Sequence, residues 1–144
     1  MASIAYSETL SKIVYLCMEQ NQFSRYAQMH IDTAKQSFDV DLKYDEESVL
    51  KLDDIIQSAW PEKPPVQIDS VILVFGSFLG EAIKHTLGGE WVRTEQGWGV
   101  KIGEATLMVF TKVKKRLLNG MEDSISYYYQ STKMMLNNNF KDFR

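Results

Sequence analysis

The chain has 144 residues, of which 44% are hydrophobic and 24% charged, and its formal net charge is −3. This length fits a single domain, residues 1–144, with a real hydrophobic core, and the composition excludes intrinsic disorder. The negative charge gives no general attraction to nucleic acid or anionic membrane. A lone Cys17 excludes an intrachain disulfide and a cysteine-based zinc cluster. The N-terminus has no signal-peptide pattern, so we expect a cytoplasmic protein.

The first part of the chain is predicted to be helical. Apolar residues spaced three and four apart indicate a helix that runs from an N-cap at Ser7 to about Phe38, and an interruption at Asn21 and Gln22 stays open. This helix dominates an N-terminal segment, residues 1–44. We expect that segment to pack on a core formed by residues 45–136.

The next two helices have clear boundaries in the sequence. Asp45 can cap the second helix, and Pro61 ends it. The third helix is predicted from about Asp69 to Leu87, with Asp69 or Ser70 as its cap, and the glycine pair after Leu87 is a strong stop signal. Because its residues are apolar around most of the circumference, we expect this helix to be central and buried.

Short segments broken by glycine follow the third helix. They predict an antiparallel sheet of two or three strands within residues 90–110, with strands at 91–94, 98–102 and 106–110. Thr111 can then cap a basic helix that ends at Gly120.

A final helix is predicted from about Glu122 to Leu136, and residues 137–144 have the composition of a frayed tail. No internal repeat is present. The predicted fold class is therefore α+β, with a helical body of about five helices and one small antiparallel sheet.

The stretch VFGSFLGEAIKHTLGGEW contains four glycines in an otherwise apolar run. It fails the pattern of a phosphate-binding loop, because Glu81 follows the second glycine where lysine is required. It also fails the Gly-x-Ser-x-Gly pattern of a nucleophile elbow, because Phe75 and Leu79 stand where the two glycines around Ser77 are required. These two binding and catalytic motifs are therefore rejected.

On a helix, Gly76, Ser77, Gly80 and Lys84 lie along one face and leave a shallow groove. Each glycine inside a helix costs roughly 1 kcal/mol relative to alanine, so two of them indicate a packing or binding requirement. We expect an internal helix or strand to cross there tightly. A partner peptide docked in the groove is the alternative.

Glu81 and His85 are four residues apart and can interact along the helix. They offer two metal ligands, but His30 is the only other imidazole, so the ligand count disfavours a metal site. We expect no metal and no cofactor. Glu81 is instead expected to accept hydrogen bonds from backbone NH groups or from Trp91 Nε1, which would lock the helix to the sheet.

Two further groups of residues are candidates for contact. The basic cluster Lys112, Lys114, Lys115 and Arg116 is interpreted first as a solvated helix face and second as a contact for an anion or an acidic partner. Three consecutive tyrosines cannot all face the core, since successive helical residues point about 100° apart. Aromatic residues are enriched at interfaces, which makes this end a candidate contact surface containing Tyr128, Tyr129, Trp98, Met134 and Met135. A core edge completed by the N-terminal helix is the competing interpretation.

The segments LDDII, FGSFLGEAI, LGGEW and KVKKRLLNGMEDSISYYY follow one another within residues 48–129. This succession contains a Gly-x-x-x-Gly-Glu helix, a Gly-Gly-x-Trp turn and a Lys-Arg…Gly segment leading to paired aromatics. It resembles a small bacterial domain family of unknown function. The resemblance implies the fold and a bacterial origin, and it implies no activity.

The leading functional hypothesis is a non-enzymatic bacterial module that binds another protein, as an immunity factor or an accessory to a toxin or secretion system. The toxin-related role rests on analogy alone. The alternative is a small-ligand-binding domain or enzyme with a cleft between the third helix and the sheet, lined by Glu81, His85, Trp91 and Trp98. Nucleic acid and membrane are not expected as partners, and a homodimer stays open.

Overall fold

The computed structural model describes residues 21–138, and within them the fold is α+β and mostly helical, as the sequence predicts. Helix α1 occupies residues 21–38 of this range. The helices that follow are α2 (Glu46–Leu50), α3 (Leu52–Ala59), α4 (Ile68–Leu87), α5 (Val109–Asn119) and α6 (Ile125–Asn137). The strands are β1 (Glu90–Thr94), β2 (Gly97–Ile102) and β3 (Ala105–Leu107). The predicted cap Ser7, Cys17 and residues 139–144 of the predicted tail lie outside the described residues.

The three strands form one antiparallel sheet in the order β1-β2-β3. Trp91 of β1 pairs with Val100 of β2, and Val100 pairs in turn with Leu107 of β3. Trp91 and Val100 are buried, so the middle of the sheet faces the hydrophobic core. The sheet follows α4 directly and packs against it through β2.

Helix α4 is the centre of the fold, as its apolar sequence predicts. Every residue of the segment 75–83 is buried. Among the described residues, α4 alone is long and apolar enough to cross a membrane by length and composition, and half of its most apolar stretch is buried inside the protein. That burial is typical of a core helix.

Several helix boundaries match the predicted ones. Asp45 caps α2 by accepting a hydrogen bond from the backbone NH of Ser48 at 2.8 Å. The predicted second helix is interrupted at Lys51, which separates α2 from α3. Gly88 and Gly120 end α4 and α5, and both have positive φ angles (92° and 80°) that favour glycine over other residues.

Two predicted caps are wrong. Helix α4 begins at Ile68 with Gln67 in the cap position, and neither Asp69 nor Ser70 caps it. Helix α5 begins at Val109, so Thr111 lies inside the helix and the third strand ends at Leu107.

Packing explains the early start of α5. Val109 and Phe110 favour a strand by local preference. In the structure the side chain of Val109 is fully buried and the ring of Phe110 packs on Gly76 of α4. Tertiary contacts thus override the local preference for a third long strand.

A buried carboxylate joins α3, α5 and the start of α6. Asp53 Oδ1 accepts hydrogen bonds from Arg116 Nε at 2.8 Å and from the backbone NH of Ile125 at 3.1 Å. Its Oδ2 accepts from Ser124 Oγ and from the NH of Ser126, both at 2.9 Å. Burial alone would raise the pKa of Asp53, but the hydrogen bonds from Ser126, Arg116 and Ile125 outweigh it and hold the pKa below its usual value.

Candidate functional site

The small-residue face of α4, formed by Gly76, Ser77 and Gly80, is filled from inside the protein. A Cβ atom on Gly76 would overlap the ring of Phe110, and a Cβ atom on Gly80 would overlap the ring of Trp91. Ser77 between them is fully buried. The internal-packing interpretation is therefore confirmed, and the two aromatic rings occupy the place that a docked peptide would need.

Glu81 links α4 to the sheet in the way that the sequence predicts. Trp91 Nε1 donates a hydrogen bond to Glu81 Oε2 at 3.3 Å, and Lys84 Nζ lies 3.3 Å from the same oxygen. Glu81 is only 5% exposed. Its carboxylate thus has a structural role that accounts for both the buried charge and the orientation of the indole.

His85 interacts with Glu81 through the backbone rather than the carboxylate. His85 Nδ1 lies 2.8 Å from the carbonyl oxygen of Glu81, and the ring stacks on Tyr44 at a centroid distance of 4.7 Å. Burial, and secondarily the charge of Glu81, raise the pKa of the Tyr44 phenol. The imidazole is therefore held near the end of α4 by the Glu81 carbonyl and the Tyr44 ring. It makes neither of these contacts with the Glu81 carboxylate.

The described residues line several clefts, and four of them have volumes of about 480, 440, 370 and 50 Å³. None of these four is lined by Glu81, His85 or Trp91. Trp98 does line a cleft, the one of about 370 Å³, where it lies beside Phe110. None of these four clefts therefore brings Trp98 together with Glu81, His85 or Trp91.

A metal centre finds no support within residues 21–138, because these residues contain no group of three histidine, cysteine, aspartate or glutamate side chains placed to hold an ion. His30 is buried between helices, with its ring 4.1 Å from that of Phe75 and 5.0 Å from that of Phe78. These apolar neighbours make it a core histidine.

The basic cluster of α5 is divided by the helix into different environments. Arg116 is buried in the ion pair with Asp53, so it is not available to an outside partner. Lys112 pairs with Asp123 at 3.3 Å and is largely covered. Lys114 and Lys115 are exposed, which leaves two of the four residues as the solvated face that the sequence predicts.

The three tyrosines of α6 also lie in three different environments. Tyr129 is buried, and its hydroxyl donates a hydrogen bond to Thr86 Oγ1 at 2.8 Å. Tyr128 is half-buried, Lys112 Nζ lies 5.5 Å from its ring centroid, and burial raises its pKa to about 12. Tyr127 is 76% exposed. The expectation that at least one tyrosine lies at the surface is confirmed.

An apolar surface remains on the outside of α6. Tyr127 and Met134 are seven residues apart, close to two helical turns, so they share one side of the helix. They are 76% and 64% exposed, and the neighbouring Met135 is also exposed. We call Tyr127, Met134 and Met135 the outer stripe. The preceding segment adds two more exposed apolar residues, Leu118 and Met121.

The tyrosines that the sequence favours for contact differ from the one that is exposed. The sequence indicates Tyr128 and Tyr129 as candidates, whereas the structure exposes Tyr127. The rotation of α6 is set by its N-cap, Ser124, whose Oγ accepts from the backbone NH of Tyr127 and donates to Asp53. Serine is a preferred N-cap residue, but the carboxylate to which its hydroxyl donates is 71 residues away in the chain.

Sequence reasoning also missed a cleft of about 480 Å³ between the end of α1 and α3. Its lining combines apolar residues with four charged ones, Asp39, Asp41, Asp54 and Lys51. Lys35 lies 2.9 Å from Asp39 and 3.4 Å from Asp41, so part of the acidic charge is already paired. The cleft joins two separate segments, residues 38–41 and 51–58, and no local motif marks it.

No protein-family model, no curated protein and no solved structure matches this chain. The resemblance to a bacterial domain family therefore stays a prediction.

Proposed function

We propose that this protein is a non-enzymatic protein-interaction module and that the outer stripe of α6 is its contact surface. The observation that carries the proposal is the exposure of Tyr127 and Met134, at 76% and 64%, on one side of a helix. Tyrosine and methionine are enriched at protein interfaces. Of the eight large apolar residues exposed in the described chain, five fall within residues 118–135, so the exposure is concentrated in one segment.

The anchoring of α6 supports a role in recognition. The helix is held at its first turn by Asp53 and further along by Tyr129, which bonds to Thr86 of α4. Lys133 adds an ion pair with Glu46 of α2 at 2.9 Å. Such a fixed helix presents its side chains to a partner with little ordering cost on binding.

A catalytic role is less well supported by the same geometry. Glu81 is engaged by Trp91 and Lys84, and His85 is engaged by the backbone of Glu81 and by Tyr44. A general acid or base needs access to a substrate proton. These side chains instead serve the packing of α4 against its neighbours.

The wider biological role follows from the sequence and from analogy. We place the protein in the bacterial cytoplasm, as an immunity factor or an accessory to a toxin or secretion system, with another protein as its partner. A second copy of the chain is the competing occupant of the outer stripe. Sedimentation of the purified protein distinguishes the two, because only self-association changes the mass with concentration.

The proposal is tested by capture of partners with tagged protein from a lysate of the source organism. The test variant is Tyr127→Ser with Met134→Ser, and the matched control is Met29→Ser with Val66→Ser, which removes two exposed apolar side chains elsewhere. We expect one dominant, stoichiometric protein to be retained by the wild type and the control and lost by the test variant. Equal capture by all three proteins would contradict the outer stripe as the contact surface.

A further inference from the structure

His30 lies at the contact between α1 and α4 and is one of the most enclosed polar residues of the described chain. It is 2% exposed, and the rings of Phe75 and Phe78 from α4 cover it. Its Nε2 is buried and has no hydrogen-bond partner among the described residues. The apolar site therefore accommodates a neutral imidazole, and at Nε2 the described residues offer no acceptor for the proton of a charged one.

The same side of α1 carries the other contacts that hold this helix on the core. The buried residues on that side recur at helical spacing and are Phe23, Ala27, His30 and Ala34. The ring of Phe23 lies 4.3 Å from that of Trp91 and 5.3 Å from that of Trp98. Through Phe23, helix α1 thus contacts two of the three tryptophans. A displacement of α1 should therefore change the tryptophan fluorescence.

Within residues 21–138, no charged side chain forms an ion pair with His30. From α4 it faces the uncharged rings of Phe75 and Phe78, and one turn away on α1 it has Ala27 and Ala34. Behind these rings lies the phenol of Tyr44, whose ring is 5.7 Å from that of Phe78. Among the described residues, no carboxylate pairs with the imidazole, so a proton taken up there would remain uncompensated.

We propose that His30 is an acid-sensitive latch, in which protonation of the imidazole opens the contact between α1 and α4 while the rest of the fold stays formed. Opening moves the ring into water, where the charged form is solvated. The device does not depend on the outer stripe, since α1 and α6 are different elements. It would expose the aromatic side of α4 when the surroundings become acidic.

The direction and size of the pH effect follow from the difference between the pKa of His30 in the closed state and its pKa in the open state. Burial lowers the pKa of His30 from 6.5 to about 4 in the closed state. The open state recovers the ordinary value, so the closed state is fully favoured above pH 6.5 and loses this advantage as the pH falls toward 4. The ratio of open to closed molecules then rises about 20-fold between pH 7 and pH 5, and roughly 100-fold between pH 7 and pH 4.

Hydrogen exchange of the full chain, read by mass spectrometry at pH 7 and pH 5, tests the latch. After correction for the intrinsic pH dependence of exchange, we expect opening of residues 23–34 to increase about 20-fold. Residues 109–119 of α5 serve as the internal control and should change less than 3-fold or so. Tryptophan emission should shift to the red in parallel.

Two variants test whether the imidazole of His30 itself causes the pH dependence. His30→Leu removes the titrating group and fills the apolar site, and His30→Gln keeps a polar side chain without titration between pH 4 and 7, in case the first variant folds poorly. Both should lose the pH dependence of α1 exchange. The latch is overturned if a folded variant keeps the full increase, if wild-type α1 shows no increase, or if α5 opens together with α1.

Discussion

The small-residue face of α4 and the outer stripe of α6 belong to one domain but differ in solvent exposure. The first is buried and the second is exposed. On α4, Gly76 and Gly80 provide room for the rings of Phe110 and Trp91. On α6, Tyr127 and Met134 extend from the surface into water. Small residues on a helix thus indicate what the chain itself brings close. Large apolar residues that stay exposed indicate what the chain offers to a partner.

The two helices also differ in how they are held. Helix α4 is fixed by apolar packing on nearly all sides, whereas the start of α6 is fixed by the polar network of Asp53. We therefore expect the stability of the protein to depend on a different residue at each helix, Gly80 at α4 and Asp53 at the start of α6. Variants at those positions, and at the outer stripe, test the contrast in order of expected effect.

The largest effect is expected for Asp53→Ala. It removes the acceptor of four hydrogen bonds and leaves Arg116 buried without its carboxylate, so the free energy of unfolding should fall by about 3–5 kcal/mol. Asp54→Ala is the matched control, because the neighbouring carboxylate is exposed, and its effect should stay within about 0.5 kcal/mol. Urea denaturation measures both. Similar values for the two variants would show that the network does not anchor α6.

An intermediate effect is expected for Gly80→Ala. Alanine should gain roughly 1 kcal/mol in a helix interior, but its Cβ would overlap the ring of Trp91, which Glu81 and Phe23 hold in place. Overpacking should prevail, with a net loss of about 1–3 kcal/mol in unfolding free energy. Ser70→Ala on the exposed start of α4 is the control and should change little. A Gly80→Ala protein as stable as the wild type would mean that this face of α4 has spare room.

The smallest effect on stability is expected for Tyr127→Ser. The side chain is mostly in water already, so the unfolding free energy should change by no more than about 0.5 kcal/mol. Thermal denaturation followed by circular dichroism is sufficient to measure it. A loss as large as that for Gly80→Ala would show that Tyr127 is part of the core edge, which is the competing interpretation of the tyrosine cluster.

Much of the fold could be predicted from local signals. Asp45 marks the start of α2, and Gly88 and Gly120 mark the ends of α4 and α5, because a capping carboxylate and positive φ angles are local requirements. The failures depend on contacts between distant segments. The start of α5 at Val109 depends on packing against α4, and no pattern near Thr111 reports it.

The candidate site was predicted less completely for the same reason. The hydrogen bond between Trp91 and Glu81 could be anticipated, since they are only ten residues apart across a tight turn. The burial of Arg116 could not, because its partner Asp53 is 63 residues away in the chain. The exposure of Tyr127 rather than Tyr128 depends on the rotation of α6, which the same carboxylate sets.

The contrast between the two helices is tested most directly by measuring the affinity of the captured partner for Tyr127→Ser and for Gly80→Ala, each with its stability recorded on the same sample. We expect Tyr127→Ser to weaken binding by about 30-fold, corresponding to roughly 2 kcal/mol for a central aromatic contact, without loss of stability. Gly80→Ala should lose stability and keep the affinity of its folded fraction. If Gly80→Ala instead weakens binding and Tyr127→Ser does not, the contact surface lies at α4 and the account is wrong.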